Sequence, residues 1–176
     1  MNGNGNGKYY GKYRGTVINN IDPNFVGRLL LEVPDVLGVV PSSWAEPCTP
    51  LAGPTGPPMG VYMVPPIGAG VWVEFEHGDP NYPVWVGCRW GAQSDVPSIV
   101  KAGLPISPSI VLQTAGQNSI SISDLPGPTG GIMLKSMTGA MIVVNDLGIT
   151  ISNGQGASIM MTGPTITVNQ SALVIT

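Results

Sequence analysis

Asn145-Asp-Leu-Gly-Ile-Thr-Ile-Ser-Asn-Gly-Gln-Gly156 decides how the second half of this chain folds. Within it, Ile149-Thr-Ile-Ser152 alternates apolar and polar residues, so an extended chain carries both isoleucines on one face. Asn145-Asp-Leu-Gly148 before it and Asn153-Gly-Gln-Gly156 after it hold residues that tolerate positive φ and close tight turns. The unit is a short strand between two turns, and it recurs. Ile120-Ser-Ile-Ser123 and Ile166-Thr-Val-Asn169 repeat the alternation, and Thr162-Gly-Pro164 supplies another turn. Strands are predicted to begin near Ser109, Ser119, Gly131, Ala140, Gly148, Ala157, Pro164 and Ala172, a quasi-repeat of about nine residues.

So short a repeat implies a β-solenoid or a β-helix shared among chains. A single-chain coil takes roughly 20 residues, which would leave only a stub with two open ends. Three chains wound round one axis remove the lateral edges. That arrangement puts Ile120, Ile122, Ile149, Ile151, Ile166 and Val168 in the trimer core and leaves Ser, Thr, Asn and Gln outside. Each strand is expected to lie between strands of neighbouring chains, with the shaft advancing about 4.8 Å per strand.

Composition agrees with an all-β, multichain protein. Among 176 residues there are 25 Gly and 18 Pro, so nearly every window long enough for three helical turns is interrupted and helix is close to excluded. Apolar residues make up 43%, too many for a disordered linker, and the length suits one or two small modules. Charged residues are only 10%, far below the usual quarter, which implies that other chains cover much of the surface. The net charge of −3 argues against partners bound through phosphate neutralisation, so no nucleic-acid ligand is expected. Residues 1–7, Met-Asn-Gly-Asn-Gly-Asn-Gly, read as a disordered tail. They have no basic region followed by an apolar core, so the expectation is assembly in the cytoplasm without a signal peptide. No run is long enough for a membrane helix. Cys48 and Cys88 make neither a disulfide framework nor a metal site and are expected to be buried thiols.

The first half differs in style. Five of the seven basic residues, eight of the ten acidic ones and all four tryptophans lie between Lys8 and Asp95. Val71-Trp-Val-Glu-Phe-Glu76 alternates strictly, His77-Gly-Asp-Pro-Asn-Tyr-Pro83 turns the chain, and Val84-Trp-Val-Gly-Cys-Arg-Trp90 returns it. Tyr13-Arg-Gly-Thr-Val17 and Gly27-Arg-Leu-Leu-Leu-Glu-Val-Pro34 supply opening strands, with Asn20-Ile-Asp-Pro-Asn24 as the turn between them. Five short strands in this span suit a small barrel of the oligonucleotide/oligosaccharide-binding (OB) type. The predicted organisation is a tail over 1–7, a barrel over 8–96, a linker over 97–108 and a triple-stranded β-helix over 109–176.

Gly27-Arg-Leu-Leu-Leu-Glu-Val-Pro34, Trp44, Pro65-Pro-Ile-Gly68 leading into Val71-Trp-Val-Glu-Phe75, and Gly78-Asp-Pro-Asn-Tyr-Pro-Val-Trp-Val-Gly87 resemble the N-terminal barrel of a known family. It comprises the baseplate spikes of contractile phage tails, the valine-glycine repeat proteins of type VI secretion and the spikes of extracellular contractile injection systems. The resemblance covers about residues 10–176. It marks Gly78, Asp79, Pro80, Pro83 and Gly87 as the barrel hairpin motif. It implies a structural homotrimer that docks on a baseplate hub and transiently pierces the target cell envelope. Residues 93–108 leave no room for the lysozyme domain of some phage spikes. The lone histidine, His77, lies in the hairpin, so the His-x-His iron site of self-pointed spikes is absent. The resemblance therefore implies a separate PAAR-repeat tip protein, bound at Leu173, Val174, Ile175 and Thr176.

Candidates for chemistry read more simply as structure. Glu74 and Glu76 suggest an acid-base pair, but carboxylates on the solvent face of a barrel strand are commonplace. Asp124 and Asp146 fit turns, and His77 has no companion ligand. Trp72 and Trp85 lack adjacent basic residues and Trp90 has only Arg89 beside it, so all three read as core or subunit contacts rather than base-stacking platforms. No catalysis, cofactor or metal is expected. The competing class is a trimeric glycan-binding receptor or adhesin module, which requires an exposed aromatic and carboxylate pocket that the sequence does not reveal.

Overall fold

The computed structural model describes residues 7–53, 57–101, 107, 109–170 and 172–175. The tail expected over 1–7 therefore lies, apart from Gly7, outside the described residues, as does Thr176. The chain divides into two compact units, 1–93 and 94–176.

In the first unit, β1 (Tyr13–Asn19), β2 (Leu30–Glu32), β3 (Glu46–Pro47), β6 (Gly70–Phe75) and β7 (Pro83–Arg89) form one sheet in the order β2-β1-β6-β7-β3. A small ribbon of β4 (Ala52–Gly53) and β5 (Met59–Gly60) interrupts the connection from β3 to β6. Alternation along β6 is as the sequence predicts. Val71, Val73 and Phe75 are buried, while Trp72 and Glu74 between them are half-buried. They meet Val17, Leu29, Leu31, Val33, Ala45 and Trp85 in one core. Bulges bend the sheet round that core: Val17 and Asn19 of β1 face the consecutive Leu31 and Leu30, and Trp72 and Val73 face Gly87 and Trp85. The curved, bulged five-stranded sheet is the OB-type architecture expected from the sequence.

The stretch 27–34 forms less strand than predicted. Only Leu30–Glu32 pairs as β2, Leu29 makes an isolated bridge to Ala45, and Pro34 opens a single helical turn, α1 (Pro34–Leu37). Proline is pre-set for a first helical position, where its missing N–H costs nothing. A second turn, α2 (Ser98–Lys101), lies in the expected linker. Both cysteines are exposed and free, contrary to the expected buried thiols. Cys48 follows β3 on a loop and Cys88 comes after the bulge at the far end of β7, so neither reaches the core.

The second unit contains eight strands: β8 (Ile110–Gln113), β9 (Ser119–Ser123), β10 (Gly131–Lys135), β11 (Met141–Asn145), β12 (Gly148–Ser152), β13 (Ser158–Thr162), β14 (Thr165–Val168) and β15 (Leu173–Ile175). Each begins within one residue of its predicted start. They form a single antiparallel sheet in sequence order, so β9 to β14 each have a partner from their own chain on both sides. Within one chain the strands thus pair with their sequence neighbours, and the sheet is consistent with the trimeric β-helix expected from the sequence. Short turns explain the pairing, because closing so few residues costs little entropy. Gly148 is one device that brings strands together. Its φ is +139°, and a Cβ there would lie 2.0 Å from the Met161 carbonyl oxygen of β13.

Candidate functional site: a self-association face and a pinned barrel surface

The register of the eight-stranded sheet aligns its large aliphatic residues. Ile110, Ile122, Ile132, Val144, Ile149, Met161, Ile166 and Ile175 occupy directly paired positions from β8 to β15. Leu112, Ile120, Leu134, Ile142, Ile151, Ile159, Val168 and Leu173 make a second such column. The two columns are two residues apart on every strand, so they share one face. All six residues predicted for the trimer core, Ile120, Ile122, Ile149, Ile151, Ile166 and Val168, fall in them. The sequence reading missed most of the others. They lie in segments such as Ile132-Met-Leu134 and Ile142-Val-Val144, where an apolar residue on the opposite face breaks the alternation.

In one protomer most of this face is open, with Ile110 66% and Ile132 49% exposed, while Ile149, Met161 and Val168 are half-buried. The opposite face carries Val111, Ser121, Met133, Val143, Thr150, Met160 and Thr167 down its middle, flanked by Gln113, Ser119, Lys135, Ser152 and Ser158. An exposed apolar strip of this extent is typical of association surfaces.

Leu173, Val174 and Ile175 of the predicted tip site form β15, which pairs with β14 through Leu173–Val168, Val174–Thr167 and Ile175–Ile166. Leu173 is exposed and continues one apolar column. The far edge of β15 has no strand partner among the described residues.

In the barrel, the hairpin motif closes the β6-β7 turn. Glu76–Gly78 form a 3-10 turn with His77 at φ 51° and Gly78 at φ +74°. The Asp79 carboxylate accepts hydrogen bonds from the Asn81 backbone N–H at 3.0 Å and side-chain amide at 2.9 Å. The Glu76 N–H donates to the Tyr82 carbonyl at 2.9 Å and the Tyr82 N–H to the Asp79 carbonyl at 3.0 Å. Pro80 holds the bend, and Pro83 is buried at the start of β7. Gly87 sits at the bulge with φ +148°. Gly78 is buried because the N-terminal segment crosses it, with the Tyr9 N–H donating to its carbonyl at 2.8 Å.

The residues considered for chemistry are dispersed. Glu74 is paired with Lys12, and Asp146 accepts the Gly127 N–H at 3.0 Å. No group of three or more His, Cys, Asp and Glu side chains suited to a metal occurs among the described residues. Of the tryptophans, Trp85 is buried and its indole N–H donates to the Gly27 carbonyl at 3.0 Å, Trp72 is half-buried, and Trp90 is 65% exposed.

Two features escaped the sequence reading. Asp22, read only as part of a turn, is 5% exposed and anchors the β1-β2 loop. Its carboxylate accepts from the backbone N–H groups of Asn24, Val26 and Arg28 and from the Arg28 guanidinium at 2.6 and 3.0 Å. The Arg28 guanidinium, with those backbone donors, holds the Asp22 carboxyl well below the usual carboxylate range, and Asp22 in turn raises Arg28. Arg28 also lies 5.4 Å from the Trp44 ring centroid. The signal in sequence was an Asx-turn residue, Asp22 before Pro23, followed by an arginine. The second feature is an open depression lined by Trp44, Tyr82, Glu46 and Glu76, an aromatic and carboxylate grouping that was not evident in the sequence.

A small OB-type barrel joined in sequence to an all-β self-association sheet defines a structural spike protein. Two family models match the chain: the type VI secretion system/phage-baseplate injector OB domain over residues 13–90, and the phage baseplate V C-terminal trimerisation domain over residues 109–174. The chain belongs to this family of baseplate central spikes. No curated protein matches it. No helix among the described residues is long and apolar enough to cross a membrane.

Proposed function

We propose that the protein is the homotrimeric central spike of a contractile injection system. In this reading its barrels dock on the baseplate hub, and its C-terminal sheets form the shaft that helps to pierce the target envelope. A PAAR-type tip protein caps the shaft by covering the free edge of β15. The role is mechanical, without catalysis or cofactor, and assembly takes place in the cytoplasm within a phage-tail-like particle. The observation that carries this reading is the pair of in-register apolar columns across eight strands, mostly open in a protomer and matched to a trimerisation domain. Co-expression with candidate hub, tube and tip proteins tests it. A stable hub–spike–tip complex is the expected result, and a trimer that binds neither hub nor tip overturns it.

A further inference from the structure

The depression on the barrel is shallow and open, and two segments far apart in sequence line it. Trp44 and Glu46 enter it from the segment leading into and along β3, and Glu76 and Tyr82 from the β6-β7 turn. The two walls are joined where β3 runs parallel to β7, with Glu46 opposite Val84. They are joined again where the Ser43 hydroxyl donates to the Asn81 carbonyl at 2.7 Å. Tyr82 is 61% exposed, so a ring surface is open to a visitor.

Charge is unbalanced at this place. Neither the Glu46 nor the Glu76 carboxylate forms an ion pair among the described residues. Arg28, the cation beside Trp44, is hydrogen-bonded to Asp22 and also lies within electrostatic reach of Glu46, so the acidic groups here, Asp22, Glu46 and Glu76, outnumber the one cation. Two carboxylates beside aromatic faces suit a planar, weakly hydrated cation, because the rings attract it and the carboxylates pair with it. The Arg28–Trp44 contact already has this chemistry on the neighbouring ring. Next to it, the Asp22 carboxylate pins a loop that holds Ile21 and Phe25 in solvent, Phe25 at φ 55° and 83% exposed. A rigid loop displaying apolar side chains supplies contact area that a single ion pair lacks.

We propose that this depression receives an arginine side chain presented by a protein partner, whose apolar surface packs on the adjoining Ile21–Phe25 loop. The inference concerns the barrel alone and stands whether or not the hub assignment does.

The test is a titration of the full-length assembly with N-acetyl-arginine amide, followed through the tryptophan indole N–H resonances. The Trp44 signal is assigned by its disappearance in Trp44→Phe. The expected result is a saturable shift of the Trp44 resonance in the millimolar range. The apparent affinity should fall roughly threefold to tenfold in each of Glu46→Gln and Glu76→Gln. N-acetylglucosamine, as the neutral comparison, should leave the resonance unmoved. A shift with the sugar and not with arginine would make this a glycan site and overturn the proposal. So would an arginine response that both glutamine variants leave unchanged, or no response at all.

Discussion

Ile142 of β11 and Ile151 of β12 are directly opposed on the mostly open apolar face of the C-terminal sheet, while Thr150, one residue away, opposes Val143 on the other side. In a trimer built on this face, Ile151→Asp brings three carboxylates into an apolar interface. Lost solvation and mutual repulsion then cost roughly 4 kcal/mol or more per trimer. Sedimentation should show monomer for Ile151→Asp and trimer for Thr150→Asp. Equal behaviour of the two variants would mean that the apolar columns are not the interface.

Gly148 and Gly156 separate steric from conformational cost. Both have positive φ, at +139° and +103°, but a Cβ at Gly156 meets nothing within 4 Å, whereas one at Gly148 strikes the Met161 carbonyl. Gly156→Ala should cost about 1 kcal/mol and Gly148→Ala clearly more, about 3 kcal/mol, because β12 and β13 must also separate. Denaturant melts of the two variants under identical conditions check the order.

The Asp22–Arg28 clasp sets a pH dependence on the barrel. A carboxyl whose folded value is depressed contributes its full stability above its unfolded value, near 4, and loses it as pH falls towards the folded value. The melting temperature of the barrel in Asp22→Asn should therefore lie below that of the wild type at pH 7. The gap should narrow only below about pH 4. A gap that closes between pH 7 and pH 5 would assign the effect to another group.

Removal of β15 tests the tip assignment. Deleting residues 172–176 leaves β8 to β14 and their columns in place, so trimers should form while binding of a PAAR-type partner is lost. Pull-down of the truncated chain with that partner reads the outcome. Undiminished capture would place the grip elsewhere.

The alternation of Ile149-Thr-Ile151 and of Val71-Trp-Val73 was enough to assign faces, because side-chain direction in a strand follows from position alone. What each strand pairs with was not legible, since the same alternation suits a neighbour from the same chain or from another. Met133 and Val143 obscured the columns locally by placing apolar residues on the reverse face. The depression was hidden for a different reason. Trp44 and Glu46 stand far in sequence from Glu76 and Tyr82, and only the two-residue parallel contact of β3 with β7 brings them together. Asp22 was visible as a turn former, but its reach to Arg28 depends on a loop path that the residue types do not dictate.

Pairing between sequence neighbours across the eight-stranded sheet also bears on how the protein is made. Each hairpin can close as soon as its second strand leaves the ribosome, so the sheet has low contact order and can zip up in sequence order before any other chain is met. Association then starts from strands already paired within each chain. The hazard moves to the interval between zipping and association, when a finished sheet displays an uncovered aliphatic face at nascent-chain concentrations. Expression level and the spacing of ribosomes on one message thus become determinants of yield, since three sheets must find one another before they find anything else.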